Sequence, residues 1–371
     1  MRRHVITILG AGNSGLAHTA YFKHLGHEVR LFDFFQETVD RINQNGYIEL
    51  TGYITDNIAF EAATTSMKDA VTGSEVIIVI NPSQYHRKLA AELAKYLSPN
   101  QIIFINPGST FGALAFKQAL VDNGFTADVP IAESNTSVFP CRLIAPTKVY
   151  IGAKKDRILF SVFPSQGNLE KVSELVSSFL PEIQPVKNVL ATSIDNTNPH
   201  VHVAPMILNC SWIESGQQFS FMHEAIGPTV EKIIAKMDAE RLEIGKKLGL
   251  TLGKDLFSLQ MQYEEEYNVT GKTTLREIFR GVDAYRQIYS PHSFEHRYIT
   301  EDVPMGLTPL VDMGRQIGVP VPKSQMILNI CEEVLEKNFT EGSGCRNMDN
   351  IGLKGLSAEE IVKYAETGSI N

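Results

Sequence analysis

The stretch His4-Val5-Ile6-Thr7-Ile8-Leu9-Gly10-Ala11-Gly12-Asn13-Ser14-Gly15, an apolar helical run, and then Glu28-Val29-Arg30-Leu31-Phe32-Asp33 decide the fold. They spell a buried strand, a glycine turn opening a helix, and a second strand ending in a carboxylate. Each part has a physical task in holding a dinucleotide. Gly10 permits the tight turn, Gly12 lets the backbone approach a pyrophosphate, and Gly15 allows the helix to lie close on its strand. The N–H groups of Ala11, Asn13 and Ser14 stand at a helix start, where the backbone dipole favours phosphate. Asp33 is placed to accept from a ribose 2′-hydroxyl and would repel a 2′-phosphate, so the pattern prefers NAD while leaving NADP open. The glycines alone are weak; strand, turn, helix, strand and acid in that order are specific.

A chain of 371 residues is long for one core, and two domains are expected. A net charge of −8 argues against a nucleic-acid partner, whose phosphates demand a basic face. No apolar run approaches the ~20 residues that span a bilayer, which argues against a membrane partner. The apolar segment after Arg2-Arg3 is too short for a signal peptide and leads straight into the glycine turn, so it reads as the first strand. Cys141, Cys210, Cys331 and Cys345 show no Cys-x-x-Cys spacing, which fits reduced thiols in a cytoplasmic protein. Glycosylation sequons at Asn135, Asn209, Asn268 and Asn338 have meaning only with export.

Val76–Ile80 and Ile102–Ile105 are continuous apolar runs, the mark of parallel strands covered on both faces. They end in Asn81-Pro82-Ser83 and Asn106-Pro107-Gly108. Val129–Ala132 forms a third strand ending in Glu133-Ser134-Asn135-Thr136. Polar strand ends of this kind are candidate walls of a ligand site, or ordinary loop residues. Lys148–Gly152 and Arg157–Val162 flank Lys154-Lys155-Asp156 and predict a hairpin. From about residue 190 the pattern turns helical, with a long helix over Thr229–Leu248 stopped by Gly249, and further helices around 307–317, 324–337 and 358–366. The expected organisation is a Rossmann-type, doubly wound α/β domain over 1–188 and a mainly α-helical domain over 189–371.

A nicotinamide enzyme needs a proton donor or acceptor beside the carbon that receives hydride, and histidine suits that task. Asn198-Pro199-His200-Val201-His202 lies just past the boundary. Two residues turn a helix by about 200°, so only one of His200 and His202 faces the reaction. Tyr298-Ile299-Thr300-Glu301-Asp302-Val303-Pro304-Met305-Gly306 carries adjacent carboxylates that either fix an imidazole's tautomer or simply start a helix. His292-Ser293-Phe294-Glu295-His296 matches a zinc-peptidase pattern that would place two ligands on one helix face. It follows Ser290-Pro291 and lacks an obvious third ligand, so no metal is expected. Arg142, shortly after Thr136, is either a surface residue or a bidentate grip for a carboxylate.

Several segments together resemble the octopine/nopaline (opine) dehydrogenase family over nearly the whole chain. They are the N-terminal fingerprint, Asn106–Gly112, Ala132–Thr136 through Cys141-Arg142, Asn198-Pro-x-x-His202, Glu224–Pro228, Asp238–Arg241, Thr300–Gly306, Gly342-x-Gly-Cys-Arg346 and Ile351–Leu353. The resemblance implies reductive condensation of an amino acid's amine with a 2-oxo acid, commonly pyruvate, using NADH or NADPH, and the reverse. It maps the catalytic histidine to His202, leaving His200 spare, and its partner carboxylate to Asp302. Thr136 and Arg142 fall near the substrate. Ser137–Cys141 departs from the proline-tyrosine pair that relatives often carry before the arginine, so details of substrate contact differ.

The expected reaction joins an amino acid and a 2-oxo acid in a cleft between the domains, with His202, oriented by Asp302, handling protons. Two rivals stand beside it: a hydroxy-acid dehydrogenase of ketopantoate or glycerol-phosphate type, and a non-catalytic dinucleotide-binding protein. The sequence leaves the amino acid, the oxo acid, the product's stereochemistry, the physiological direction and the oligomeric state open, a homodimer included.

Overall fold

The computed structural model describes residues 2–60, 62–267 and 269–370; the sequon at Asn268 lies outside the described residues. Contacts divide the chain into two compact units. One comprises Met1–Gly108, Gly112–Val189 and Ala365–Gly368; the other comprises Ser109–Phe111, Leu190–Tyr364 and Ser369–Asn371.

Among the described residues of the first unit there are twelve strands: β1 (Val5–Leu9), β2 (Glu28–Phe32), β3 (Tyr47–Gly52), β4 (Asp56–Ala59), β5 (Ala63–Thr64), β6 (Val76–Val79), β7 (Ile102–Ile105), β8 (Ile131–Ser134), β9 (Cys141–Ala145), β10 (Lys148–Ile151), β11 (Ile158–Phe163) and β12 (Ile183–Pro185). Eight form one sheet in the order β12-β11-β8-β7-β6-β1-β2-β5, parallel except where β8 meets β11. β1 pairs with β2 on one side and β6 on the other. The glycine turn therefore leaves the sheet at the point where strand order reverses, the place where such sheets take ligands. The N-terminal segment is the first strand, as its apolar run predicts.

A second sheet, β4-β3-β10-β9, was not legible in the sequence. Between the two sheets runs the helix Asn13–His24, buried continuously from Gly15 to Phe22. Leu16, Ala17, Ala20 and Phe22 share one core with Ile6 and Ile8 of the first sheet and with Ile48, Leu50, Val149 and Ile151 of the second. Being covered on both sides explains why this helix is buried on every face over two turns, polar His18 and Thr19 included.

The hairpin expected over 148–162 is not formed. β10 pairs with β3 and β9 in the second sheet, whereas β11 pairs with β8 and β12 in the first. The burial pattern gives the reason. β11 is buried at every position, as an inner strand must be, while β10 alternates buried and accessible residues and suits a sheet with one wet face. The third predicted strand is also displaced: β8 begins at Ile131 and runs through Glu133 and Ser134.

The second unit is helical among its described residues. Its longest helix, Pro228–Lys247, starts on Gly227 with proline in the first turn and is followed by Gly249 at φ 71°, the proline-first, glycine-last asymmetry of helix ends. Arg241 on this helix is fully buried. Its guanidinium donates to Asp238 Oδ1 at 2.6 and 2.9 Å and to the carbonyls of Ile194 and Phe257 at 2.8 and 2.6 Å, so the buried charge is both paired and solvated by backbone. Helices also span Thr308–Gln316, Pro322–Leu335 and Ala358–Thr367. After the last, the chain returns to the first unit. The Ser165 and Gln166 N–H groups donate to the carbonyls of Ala365 and Glu366 at 3.3 and 2.8 Å, and Lys187 pairs with Glu366 at 3.1 Å. No helix among the described residues is long and apolar enough to cross a membrane.

His18, on the helix between the sheets, is fully buried. Its Nδ1 lies 2.7 Å from the Ser14 carbonyl, which can only accept, so Nδ1 carries a proton. Burial pushes its pKa down from 6.5 to about 4. Because the unfolded chain then binds protons that the folded one refuses, stability is complete above pH 6.5 and falls as pH drops toward 4. The expected loss is on the order of 3 kcal/mol at pH 4 for this group. His18→Phe should show a shallower fall of Tm across that window in calorimetry; an unchanged slope would refute the assignment.

Candidate active site

The first half of the site is the glycine turn. Gly10 has φ 110°, and a Cβ there would lie 2.7–2.8 Å from the side-chain amide of Asn81. A Cβ on Gly15 would run into the Gly10 carbonyl, whereas one on Gly12 would meet nothing within 4 Å. Two glycines thus serve the fold, and the third leaves space over the start of helix Asn13–His24, whose N-cap carries no side-chain hydrogen bond. Asp33, just past β2, accepts from the Ala11 N–H at 2.8 Å and from the Phe35 N–H at 3.0 Å. Its carboxylate is therefore fixed beside the turn, with lone pairs remaining for another donor. Among the described residues Asn81 Oδ1 is buried without a hydrogen-bond partner. Free helical N–H groups, open space above Gly12, a fixed carboxylate and an orphaned amide oxygen fit a dinucleotide.

The other polar strand ends separate into two groups. Asn106 donates to Ser134 Oγ at 3.0 Å and accepts from the Val138 N–H at 3.4 Å. Glu133 is buried and accepts from the Ala113 N–H at 2.7 Å. Both are engaged in holding their own loops. Thr136 accepts from Lys155 Nζ at 2.8 Å. Arg142 is exposed on β9, the edge strand of the second sheet, opposite Tyr150.

The second unit carries two widened turns of π-helix, Pro199–Val203 and Val303–Leu307. Each carries a proline within its first two residues, Pro199 or Pro304, and runs into a further one, Pro205 or Pro309. A proline ring collides with the carbonyl four residues earlier in regular α geometry. For Pro205 and Pro309 those carbonyls belong to Val201 and Met305, each inside a π turn. Widening relieves the collision, and the Leu307 N–H donates five residues back to Asp302 O at 2.8 Å. Such turns recur at functional sites.

These turns bring His202 and Asp302 together: Nδ1 lies 2.8 Å from Oδ2, with side-chain exposures of 14% and 5%. An ionised carboxylate only accepts, so Nδ1 holds a hydrogen and Nε2 is left for other chemistry. Tyr298 stacks on the imidazole with ring centroids 3.8 Å apart and planes at 15°, fixing the ring's plane as Asp302 fixes its edge. His200 points elsewhere. It is fully buried, and burial, aided by the positive charge of Arg241, pushes its pKa down to about 4.

Sequence reasoning missed Tyr298 as a partner of the imidazole, and missed Arg297. The latter pairs with Glu301 at 3.1 Å while keeping 60% of its side chain exposed. Burial works against its charge, but Glu301 and Asp302 outweigh it and hold its pKa above the usual value. A helical reading offers the signal, since Arg297 and Tyr298 lie one turn before Asp302. The zinc-like pattern at His292–His296 lies in turns rather than on a helix. His296 caps the following helix by accepting from the Tyr298 N–H at 3.3 Å, and among the described residues no cluster of three or more metal-ligating side chains occurs.

Residues 185–335 match the family described as NAD/NADP octopine/nopaline dehydrogenase, alpha-helical domain, and residues 5–107 match the NAD-dependent glycerol-3-phosphate dehydrogenase N-terminus. The chain is 34% identical over 360 residues to the opine dehydrogenase of Arthrobacter sp. (strain 1C), covering 97% of this chain and 98% of that one. It shares its fold with octopine dehydrogenase solved with NADH and agmatine (TM-score 0.82, 17% identity, 99% and 98% coverage). It likewise matches yersinopine dehydrogenase solved with NADP+ (TM-score 0.72, 14% identity, 98% coverage of both). A dinucleotide turn in one unit, a carboxylate-held imidazole in the other and a full-length match at this identity lead to one conclusion: this chain belongs to the octopine/nopaline (opine) dehydrogenase family of NAD(P)-dependent oxidoreductases acting on CH–NH groups.

Proposed function

We propose that this enzyme condenses the amine of an amino acid with a 2-oxo acid, pyruvate in the simplest case, and reduces the resulting imine to an N-(carboxyalkyl) amino acid, the reverse reaction included. The observation that carries the reading is the 2.8 Å bond from His202 Nδ1 to Asp302. NAD(P)H, held at Gly10–Gly15, supplies the hydride. As imidazolium, His202 donates the Nε2 proton to the oxygen that leaves as water when the imine forms. As neutral imidazole it accepts a proton from the water that attacks the imine in reverse. Asp302 keeps Nδ1 protonated and opposes the charge that forms on the ring. Tyr298 restricts the ring to the plane in which Nε2 does this work. Arg297, the exposed cation one turn before Asp302, is suited to the oxo acid's carboxylate. Thr136 and Arg142 are further substrate-contact candidates in the first unit.

The fixed carboxylate of Asp33 supports a preference for NADH, since a 2′-phosphate there would meet a full negative charge. A net charge of −8 supports small-molecule substrates rather than a nucleic-acid or membrane partner. Four free cysteines support a reducing, cytoplasmic setting. Sedimentation of the purified enzyme distinguishes a monomer from a homodimer.

The test follows NADH absorbance with pyruvate and a panel of amino acids added singly. Oxidation requiring both partners, with a secondary-amine product in mass spectrometry, is expected; oxidation by the oxo acid alone would assign the hydroxy-acid reaction instead. His202→Ala should lower kcat by about 10²–10⁴-fold, and Asp302→Asn, which offers a donor as well as an acceptor to Nδ1, should fall in the same direction. Turnover near wild type in folded His202→Ala would refute the assignment. NADPH should show the higher KM, and Asp33→Ser should narrow that gap chiefly through KM; equal KM values in the parent enzyme would remove the proposed preference.

A further inference from the structure

The His202–Asp302 bond joins residues one hundred positions apart, His202 inside one π turn and Asp302 immediately before the other, and something must set the distance between those turns. Gly306 and Pro199 meet where the two turns pass each other. A Cβ on Gly306 would lie 2.5 Å from Cγ of Pro199 and 3.5 Å from its Cβ and Cδ. Both residues are buried. The backbone around the contact has little room to slide. The Pro304 carbonyl accepts from the Arg346 N–H at 2.9 Å, and Thr308 Oγ1 donates to the Phe339 carbonyl at 2.8 Å. On the facing turn, the Asn198 N–H donates to Asn196 Oδ1 at 3.3 Å and Thr197 Oγ1 to Gln262 Oε1 at 3.1 Å.

We propose that the bare Cα of Gly306 is a positioning feature: it lets Pro199 come close enough for the two π turns to take the separation that the His202–Asp302 bond requires. The inference rests on the reading of His202 as the proton-handling group. Carbon atoms settle at ~3.5–4.0 Å, so any side chain at 306 parts the turns by about 1 Å. The same displacement applied to the 2.8 Å bond carries it beyond hydrogen-bond reach. Gly306 touches no reacting group; it acts through Pro199 on the imidazole.

Four proteins test this: the parent, Gly306→Ala, Pro199→Ala and the double variant. Pro199→Ala removes the offending Cγ and adds only an N–H at a helix start, where none is needed, so it should resemble the parent. Two readouts are taken on each. Long-range ¹H–¹⁵N spectra of histidine-labelled protein, with His202 assigned through His202→Gln, report whether Nδ1 keeps its hydrogen. Steady-state kinetics report kcat and KM. Gly306→Ala should lose the Nδ1–H signature and at least tenfold in kcat with little change in KM for NADH, and the double variant should recover both. Retention of the signature in Gly306→Ala overturns the proposal. So does a double variant as impaired as Gly306→Ala, or one that fails to fold. Should Gly306→Ala alone fail to fold, recovery of folding and signature in the double variant sustains the proposal. Loss of the signature with undiminished turnover upholds the positioning feature and overturns the role given to His202, so the two failures are distinct.

Discussion

A carboxylate that can only accept, set 2.8 Å from an imidazole nitrogen, is the constraint around which the helical unit is arranged. It selects one tautomer, points the other nitrogen outward and keeps a buried negative charge compensated. Leaving either partner alone would be costly, because a buried charge without its counter-group loses its solvation without replacement. The π turns follow from that need together with the prolines. Four prolines accompany the two turns; the first turn presents His202 and the second begins directly after Asp302, neither breaking the helix that follows.

The dinucleotide half obeys a different economy. Its helix is enclosed by two sheets and contributes to a single core with both, so the turn at its start is held firmly except on its open side above Gly12. Gly15 against the Gly10 carbonyl and Gly10 against Asn81 leave no room for the loop to relax. Asp33 ties the loop's Ala11 N–H to the end of the neighbouring strand. The phosphate-facing N–H groups are thus preorganised by packing, and the ligand need not order them on arrival.

Legibility in the sequence followed the periodicity each element imposes. The strand–turn–helix–strand signal of residues 4–33 was complete because glycine positions and a terminal acid are local features. The second sheet was not legible, since its two halves, β3-β4 and β9-β10, lie about a hundred residues apart, and Gly46 and Gly52, which frame β3, mark turns without indicating the partner strand. The expected hairpin failed for a readable reason: β11 is apolar at every position but Ser161 and β10 alternates, a contrast that separates an inner strand from one with a wet face. At the site, spacing alone left His200 and His202 tied, and only the family resemblance chose between them. The pairing with Asp302 depends on two π turns, which a 3.6-residue period cannot express. Their proline brackets, Pro199 with Pro205 and Pro304 with Pro309, were in the sequence all along and mark where the regular period breaks.

The return of residues 365–368 to the first unit has a consequence for how the chain is made. A ribosome delivers the N-terminal unit first, yet the loop at Ser165 and Gln166 and the side chain of Lys187 find their partners in Ala365 and Glu366. During synthesis that unit waits, with those N–H groups and that cation turned to water, while the entire helical unit emerges. Residues 365–368 then act as a clasp, fastened only after the helical unit has been made.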